Sequence, residues 1–227
     1  MNNADRIQEL KIRQLTNQYL VQPADKKTVI RDLCGVQAQF LVNAMHSLKI
    51  RCNDFDENTV ADGLVKNWTV RGTVHVFAES DLPLFIRCNN GEAYRKNEWG
   101  EVKNWLNQLP VESIDCEGKT YYYIPNGKSY DKEIPACIFL AGFDQLMLGY
   151  QKKESLYLPQ EHLRSIFNLA GIVMPPILLN GKVVGKWKKK NADFTFTLFE
   201  TVSDKEKKII SNTAENLWDS ISKITFE

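Results

Sequence analysis

The chain has 227 residues, 43% hydrophobic and 11% aromatic, enough to bury a core in one large or two small domains. Lys and Arg total 29 against 28 acidic residues, a formal net charge of +1, so no whole-molecule field draws in nucleic acid and any anion binding must come from local clustering. Five cysteines, Cys34, Cys52, Cys88, Cys116 and Cys137, are an odd number without CxxC spacing. That argues against a disulfide framework or a zinc site and fits a reducing compartment. The start MNNADRIQEL has no signal-peptide core, and no run reaches the about 18 apolar residues of a membrane span. The sequence therefore reads as a cytoplasmic protein with no membrane attachment.

In chain order, Ala4 to Leu20 carries Ile7, Leu10, Leu15 and Tyr19 at helical spacing, with Pro23 as a stop. A second helix is predicted from Asp25 to Gly35, whose lack of a Cβ suits a left-handed cap, and a third over Asn43 to Ile50. Glu57 to Val65 reads as a fourth. Trp68 to Phe77 is β-branched and aromatic around Gly72, which predicts a hairpin or bent strand. Ser80-Asp81-Leu82-Pro83 then looks like a helix start, with Ser80 as cap. Short helices closed by a strand pair describe a winged helix-turn-helix module over residues 1–92.

Residues 93–110 read as a connecting helix, Tyr94 to Leu109, and a linker. From 111 to 227 the pattern changes to short extended runs, Ser113 to Asp115, Tyr121 to Ile124 and Ala136 to Leu140, separated by Glu117-Gly118, Asn126-Gly127 and Ala141-Gly142-Phe143-Asp144. Asn180-Gly181 between Ile177-Leu178-Leu179 and Lys182-Val183-Val184 predicts a type I′ hairpin. Phe194 to Leu198 alternates as a strand, and Ser203 to Ile221 is a capped amphipathic helix. The fold class is α+β: a winged-helix module followed by a small β-barrel or curled sheet with a terminal helix.

Gln37 and Gln39, in Gly35-Val36-Gln37-Ala38-Gln39, are a candidate pair because each amide brings donors and an acceptor that must be satisfied. Residues two apart share a face only in an extended segment, so both serve one solvent-accessible hollow only if Val36 to Phe40 is not helical. From spacing alone, the plainer reading is that they cap and decorate a loop. His75 is either a second site group or a histidine satisfied inside its strand, and Asp144 either stabilises charge or fixes its turn. His46 and His162 read as ordinary helix residues. No His/Cys set has metal-ligand spacing and no phosphate loop is present, so neither metal nor cofactor is expected.

Together with Val70-Arg71-Gly72-Thr73-Val74-His75, Asp81-Leu82-Pro83, Gly142-Phe143-Asp144, Leu148-Gly149-Tyr150 and Val183-Val184-Gly185-Lys186-Trp187, the glutamine segment resembles the AlkZ/YcaQ-like winged-helix DNA glycosylases. The resemblance spans roughly residues 5 to 90 and 135 to 220. It implies a concave cradle for duplex DNA and removal of bulky or cationic alkylated purines, with Gln37 and Gln39 at the positions of the motif that holds the catalytic water. Where that family has two further winged helices, this chain has room only for Tyr94 to Leu109 and a linker. The resemblance therefore implies either a minimal relative that completes its groove differently, as a homodimer for example, or a shortened one without activity.

A glutamine does not titrate usefully, so it orients water and donates to developing charge rather than acting as a base. That suits a substrate already activated as a cationic purine, which leaves readily from an oxocarbenium-like sugar. For DNA contact, Lys182, Lys186, Lys188, Lys189 and Lys190 surround Trp187 without an acidic neighbour, suiting phosphate neutralisation and stacking on an opened base. A solvated hairpin face reads the same way. The Asn180-Gly181 tip is a candidate wedge beside a flipped nucleotide. Arg13 and Arg71 are further phosphate candidates, with surface ion pairing as their alternative. The competing functions are a non-catalytic winged-helix DNA-binding protein that reads the groove through Val60 to Lys66 or the helix before it, and a protein-interaction scaffold. No obligate protein partner is evident.

Overall fold

The computed structural model describes residues 2–69, 72–89, 104 and 106–227. Arg71 and most of the connecting helix expected over Tyr94 to Leu109 lie outside them. The described chain is mixed α+β, with three small sheets. Helix α1 (Asn3–Asn17) opens on a capping box between Asn2 and Asp5, and α2 (Lys26–Asp32) on the Asp25 side chain. Cys34 (φ 52) and Gly35 (φ 84) then turn the chain into β1 (Val36–Gln37), so the left-handed reversal takes two residues rather than the glycine alone. Helix α3 (Leu41–Lys49) follows at once.

Glu57 to Val65 is not the predicted helix. Asp56 to Gly63 is a run of hydrogen-bonded turns, with Val60 N bonding Asp56 O at 2.8 Å and Asp62 N bonding Thr59 O at 3.0 Å. Lys26 Nζ caps three of its carbonyls, those of Thr59, Val60 and Asp62, which stabilises the turn form. Strands β2 (Leu64–Trp68) and β3 (Val74–Ala78) form the expected hairpin, and β1 adds to its other side in the order β1-β3-β2. Ser80 does not cap the next helix. A 3-10 turn over Glu79–Asp81 leads into α4 (Leu82–Asn89), with Pro83 in its first turn.

In the second half, β4 (Glu112–Cys116) and β5 (Lys119–Tyr123) pair as a separate hairpin. The larger sheet takes β6 (Cys137–Phe139), β7 (Pro176–Leu179), β8 (Lys182–Lys190), β9 (Asp193–Leu198) and β10 (Lys223–Phe226) in the order β10-β9-β8-β7-β6. Its outer strands, β6 and β10, do not pair with each other, so the sheet is open and the expected barrel is not closed. Between β6 and β7 lie the single turns α5 (Gln145–Leu148) and α6 (Leu163–Ile166). Helix α7 (Asp204–Leu217), with its Ser203–Glu206 capping box, is shorter than predicted and is not terminal: β10 follows it and pairs parallel to β9.

Three apolar clusters fill the interior. One packs β1 and β3 against α2 and α3 through Val29, Ile30, Val36, Ala44, Leu48 and Val76. A second packs Phe139, Phe194 and Phe196 against Ile210, Ala214 and Trp218 of α7 and the segment after it. The third joins the two halves, since Leu15 and Leu20 lie in one cluster with Leu140, Phe143, Leu146, Leu178 and Val183.

Candidate active site

Val36 and Ala38 point into the core at 1% and 0% exposure, while Gln37 is half-buried and Gln39 exposed. The backbone is extended here: Val36 pairs with Val76 and Gln37 with His75, and Ala38 N donates to Val74 O at 2.8 Å before the bend at Gln39-Phe40. Alternation puts the Gln37 amide on the side of the strand away from the core, and Gln39, at the bend beyond β1, is exposed. His75 lies directly across from Gln37, and Asn67 of β2 across from His75, so the three form one row. The imidazole is buried, and its Nδ1 lies 3.1 Å from the Thr73 carbonyl and 3.0 Å from Thr69 Oγ1. A carbonyl only accepts, so this network assigns the proton to Nδ1. Of the larger cavities, one of about 580 Å³ opens beside Arg31, Cys34 and Phe85; neither glutamine lines it.

Four consecutive residues from the second half grip this segment on both flanks. Gly142 lies against Asn43 of α3, whose Nδ2 would sit 2.8 Å from an added Cβ. Phe143, in the left-handed region at φ 58, sets its ring 5.9 Å from that of Phe40. Asp144 binds Arg51, just beyond α3, through two contacts of 2.7 and 3.0 Å. Gln145 Nε2 donates to the Gly35 carbonyl at 2.5 Å. Gly35 itself has no room for a side chain: an added Cβ would meet Val76 O at 2.8 Å.

Asp144 is thereby occupied. Its carboxylate also accepts from Leu146 N at 2.9 Å and Ala141 N at 3.3 Å, and both members of the ion pair are fully buried. Of its two roles left open by the sequence, this geometry gives it the fixing of the turn. Arg51 is satisfied in addition by Gln18 O and by Ser47. Sequence reasoning missed Arg51, Gln145 and Asn43; the glycines at 35 and 142, which mark close backbone approach, were the available signal.

The DNA candidates divide. Arg13 is ion-paired to Glu9 at 2.9 Å and sandwiched between the rings of Tyr123 and Tyr130, 4.4 Å from each, so it ties α1 to the neighbouring hairpin and loop. Lys182 is held by Glu200 at 2.7 Å. Trp187 donates to Leu140 O at 2.8 Å and packs with His46, Phe139, Phe194 and Trp218, so its indole is committed to the interior aromatic cluster rather than offered to a base. Lys189 lies over the Phe194 ring at 5.6 Å. Lys186, Lys188 and Lys190 stand opposite Thr197, Thr195 and Asp193 on the other face of the sheet, and none has an ion-pair partner among the described residues. The Asn180-Gly181 turn has the predicted positive φ values, 49 and 72. It is not a free wedge: Lys11 Nζ donates to Gly181 O at 2.8 Å, Asn180 N bonds Ala136 O, and Ile134 packs over Gly181.

His46, read as ordinary, sits on Trp187 and Trp218 with Nε2 2.8 Å from Phe139 O, and burial pushes its pKa down to about 4. Cys34, Cys52, Cys116 and Cys137 are free thiols. Among the described residues there is no group of three or more His, Cys, Asp or Glu placed to hold a metal ion, and no helix is long and apolar enough to cross a membrane.

A protein-family model described as DNA glycosylase AlkZ-like matches residues 89–218, a span that includes the Gly142–Gln145 turn and β6 to β9 but not the glutamine segment. An interstrand DNA cross-link repair glycosylase of Streptomyces sahachiroi is 26% identical over 104 residues, which is 44% of this chain and 28% of that protein's length. The solved Streptomyces sahachiroi DNA glycosylase AlkZ shares the fold, with a TM-score of 0.76 at 15% identity over 97% of this chain and 98% of that one. With the family match running over more than half of its length, the chain belongs to the AlkZ-like DNA glycosylase family.

Proposed function

We propose that this protein hydrolyses the N-glycosidic bond of cationic alkylated purines in duplex DNA, with Gln37 and Gln39 positioning the water. The observation that supports the reading is the non-helical backbone of Val36–Gln39, which leaves Gln37 half-buried and Gln39 exposed while the Gly142–Gln145 turn braces the segment before and after them. Neutral amides orient a water and stabilise the developing sugar cation through their carbonyl dipoles, but remove no proton at neutral pH. The leaving purine must therefore bring its own activation, which an N7- or N3-alkyl cation does. His75, directly across from Gln37, acts as a positioning residue for that amide.

On this reading the first half is a winged helix, residues 1–92, and the second half, residues 111–227, carries the Lys186, Lys188 and Lys190 face that neutralises phosphates. Groove reading through Val60 to Lys66 is disfavoured, because the turns there expose Asp54, Asp56, Glu57 and Asp62, which repel the phosphate backbone.

The test is incubation with duplex oligonucleotide carrying N7-methylguanine, scored for abasic sites. Wild-type protein releases the base. Gln39→Ala lowers the rate by about a hundredfold or more, the scale of losing one transition-state dipole, with duplex affinity unchanged. Equal losses in rate and affinity would make Gln39 a structural residue, and salt-dependent binding without abasic product would favour a non-catalytic DNA-binding protein.

A further inference from the structure

The residues that follow Gln39 are a surface anomaly that the proposed chemistry does not use. Phe40, Leu41 and Val42 are consecutive large apolar side chains with 48%, 50% and 73% of their surface exposed. They occupy the entry and first turn of α3, whose opposite face is pinned by Ala44, Ser47 and Leu48, all buried, and by Arg51 beyond it. Phe40, the N-cap residue, makes no side-chain cap hydrogen bond, so its phenyl leaves the N-terminal end of α3 without the usual capping oxygen. No acidic residue occurs between Asp32 and Asp54. A rigid apolar projection, the positive end of a helix whose N-cap side chain supplies no acceptor, and an acid-free stretch thus coincide one residue beyond an amide assigned to the proposed site.

We infer that Leu41 and Val42 form the wedge that enters the base stack where the damaged nucleotide leaves it, with Phe40 braced on Phe143 behind them. The inference rests on the glycosylase reading for its substrate. A duplex opened at one nucleotide offers the matching surface: a bared apolar base step flanked by phosphates. Apolar side chains inserted at such a step offset the unstacking cost, and the helix N-terminus favours the adjacent phosphate. Val42 is β-branched and has essentially one rotamer in a helix, so insertion costs it little side-chain freedom. The Asn180-Gly181 tip, the other candidate, is docked under Lys11 and Ile134.

The test separates opening from chemistry. The probe is a duplex with 2′-fluoro-stabilised N7-methylguanine next to 2-aminopurine, whose fluorescence rises on unstacking. Gln39→Ala protein raises the signal; adding Leu41→Ser and Val42→Ser abolishes the rise while duplex affinity stays within about threefold, because the phosphate contacts are untouched. On the otherwise wild-type chain the serine pair slows excision from paired DNA at least about tenfold, the equivalent of roughly 1.4 kcal/mol of lost opening energy, and leaves excision from a single-stranded oligonucleotide within about twofold. A conservative Leu41→Met, Val42→Ile pair keeps the fluorescence rise, which separates a wedge from a folding defect. An undiminished rise in the serine variant, or loss of it in the conservative pair, overturns the wedge. Should Gln39→Ala prove fully active while the serine pair still abolishes the signal, the water-positioning assignment fails and the wedge stands.

Discussion

On the proposed reading, Gln145 is a buried side chain that supports the water-holding pair without belonging to it. Its Nε2 donates to the carbonyl of Gly35, the residue that launches β1. Gln145→Ala leaves that buried carbonyl without its donor, a cost of about 1–3 kcal/mol. Because the loss falls on placement of the amides rather than on any DNA contact, the base-release rate should drop while duplex affinity, measured by fluorescence anisotropy, holds. A parallel fall in both would assign Gln145 to general stability. From the sequence, Gln145 was indistinguishable from a surface glutamine, because its partner is 110 residues away and is a backbone atom. Asp144 illustrates the same point in reverse: its place after Gly142-Phe143 announced a turn, but its partner Arg51 sat in a stretch that showed only helix periodicity.

Among the elements, the start of β1 lies so close to β3, and the Gly142–Gln145 turn to α3, that two glycines become informative. An added Cβ at Gly35 meets Val76 O at 2.8 Å, a backbone atom that cannot yield without breaking the β1–β3 pairing, and the φ of 84 is itself unfavourable for an L side chain. At Gly142 the nearest obstacle, at 2.8 Å, is the Asn43 amide, the end of a side chain, with the Val173 carbonyl less tight at 3.2 Å, so removing the amide should give a partial rescue. Gly35→Ala should therefore cost more than Gly142→Ala, roughly 3 kcal/mol against 1 kcal/mol, and only the latter should be rescued by Asn43→Ala. Urea unfolding of wild type, the three single variants and the two double variants checks the order; equal costs would mean that the strand relaxes. Local chemistry made the cap at Ser203 and the Asn180-Gly181 turn legible, since each is set by neighbours in sequence. The absent helix at Glu57 to Val65 and the added strand β10 were not, because a distant lysine stabilises one and pairing with β9 creates the other.

At the scale of the molecule, His46 lies in the seam between the two halves, against Trp187 and Trp218. Its pKa of about 4 in the fold lies below the ordinary histidine value near 6.5, so the unfolded chain takes up a proton first. Its contribution is therefore complete above pH 6.5 and is lost progressively as pH falls toward about 4, up to on the order of 3 kcal/mol. Urea midpoints of wild type and His46→Gln should converge as pH drops from 7.5 to 4.5; a constant gap would show that the ring takes its proton inside the fold.

The brace around Gln37 and Gln39 also sets an order in time. A ribosome makes these amides more than a hundred residues before the turn at Gly142–Gln145 that holds their flanks. Until that turn is translated and folded against them, a growing chain carries its amides without their support, so under the proposed glycosylase function competence to act on a lesion should arise late in synthesis and in one step.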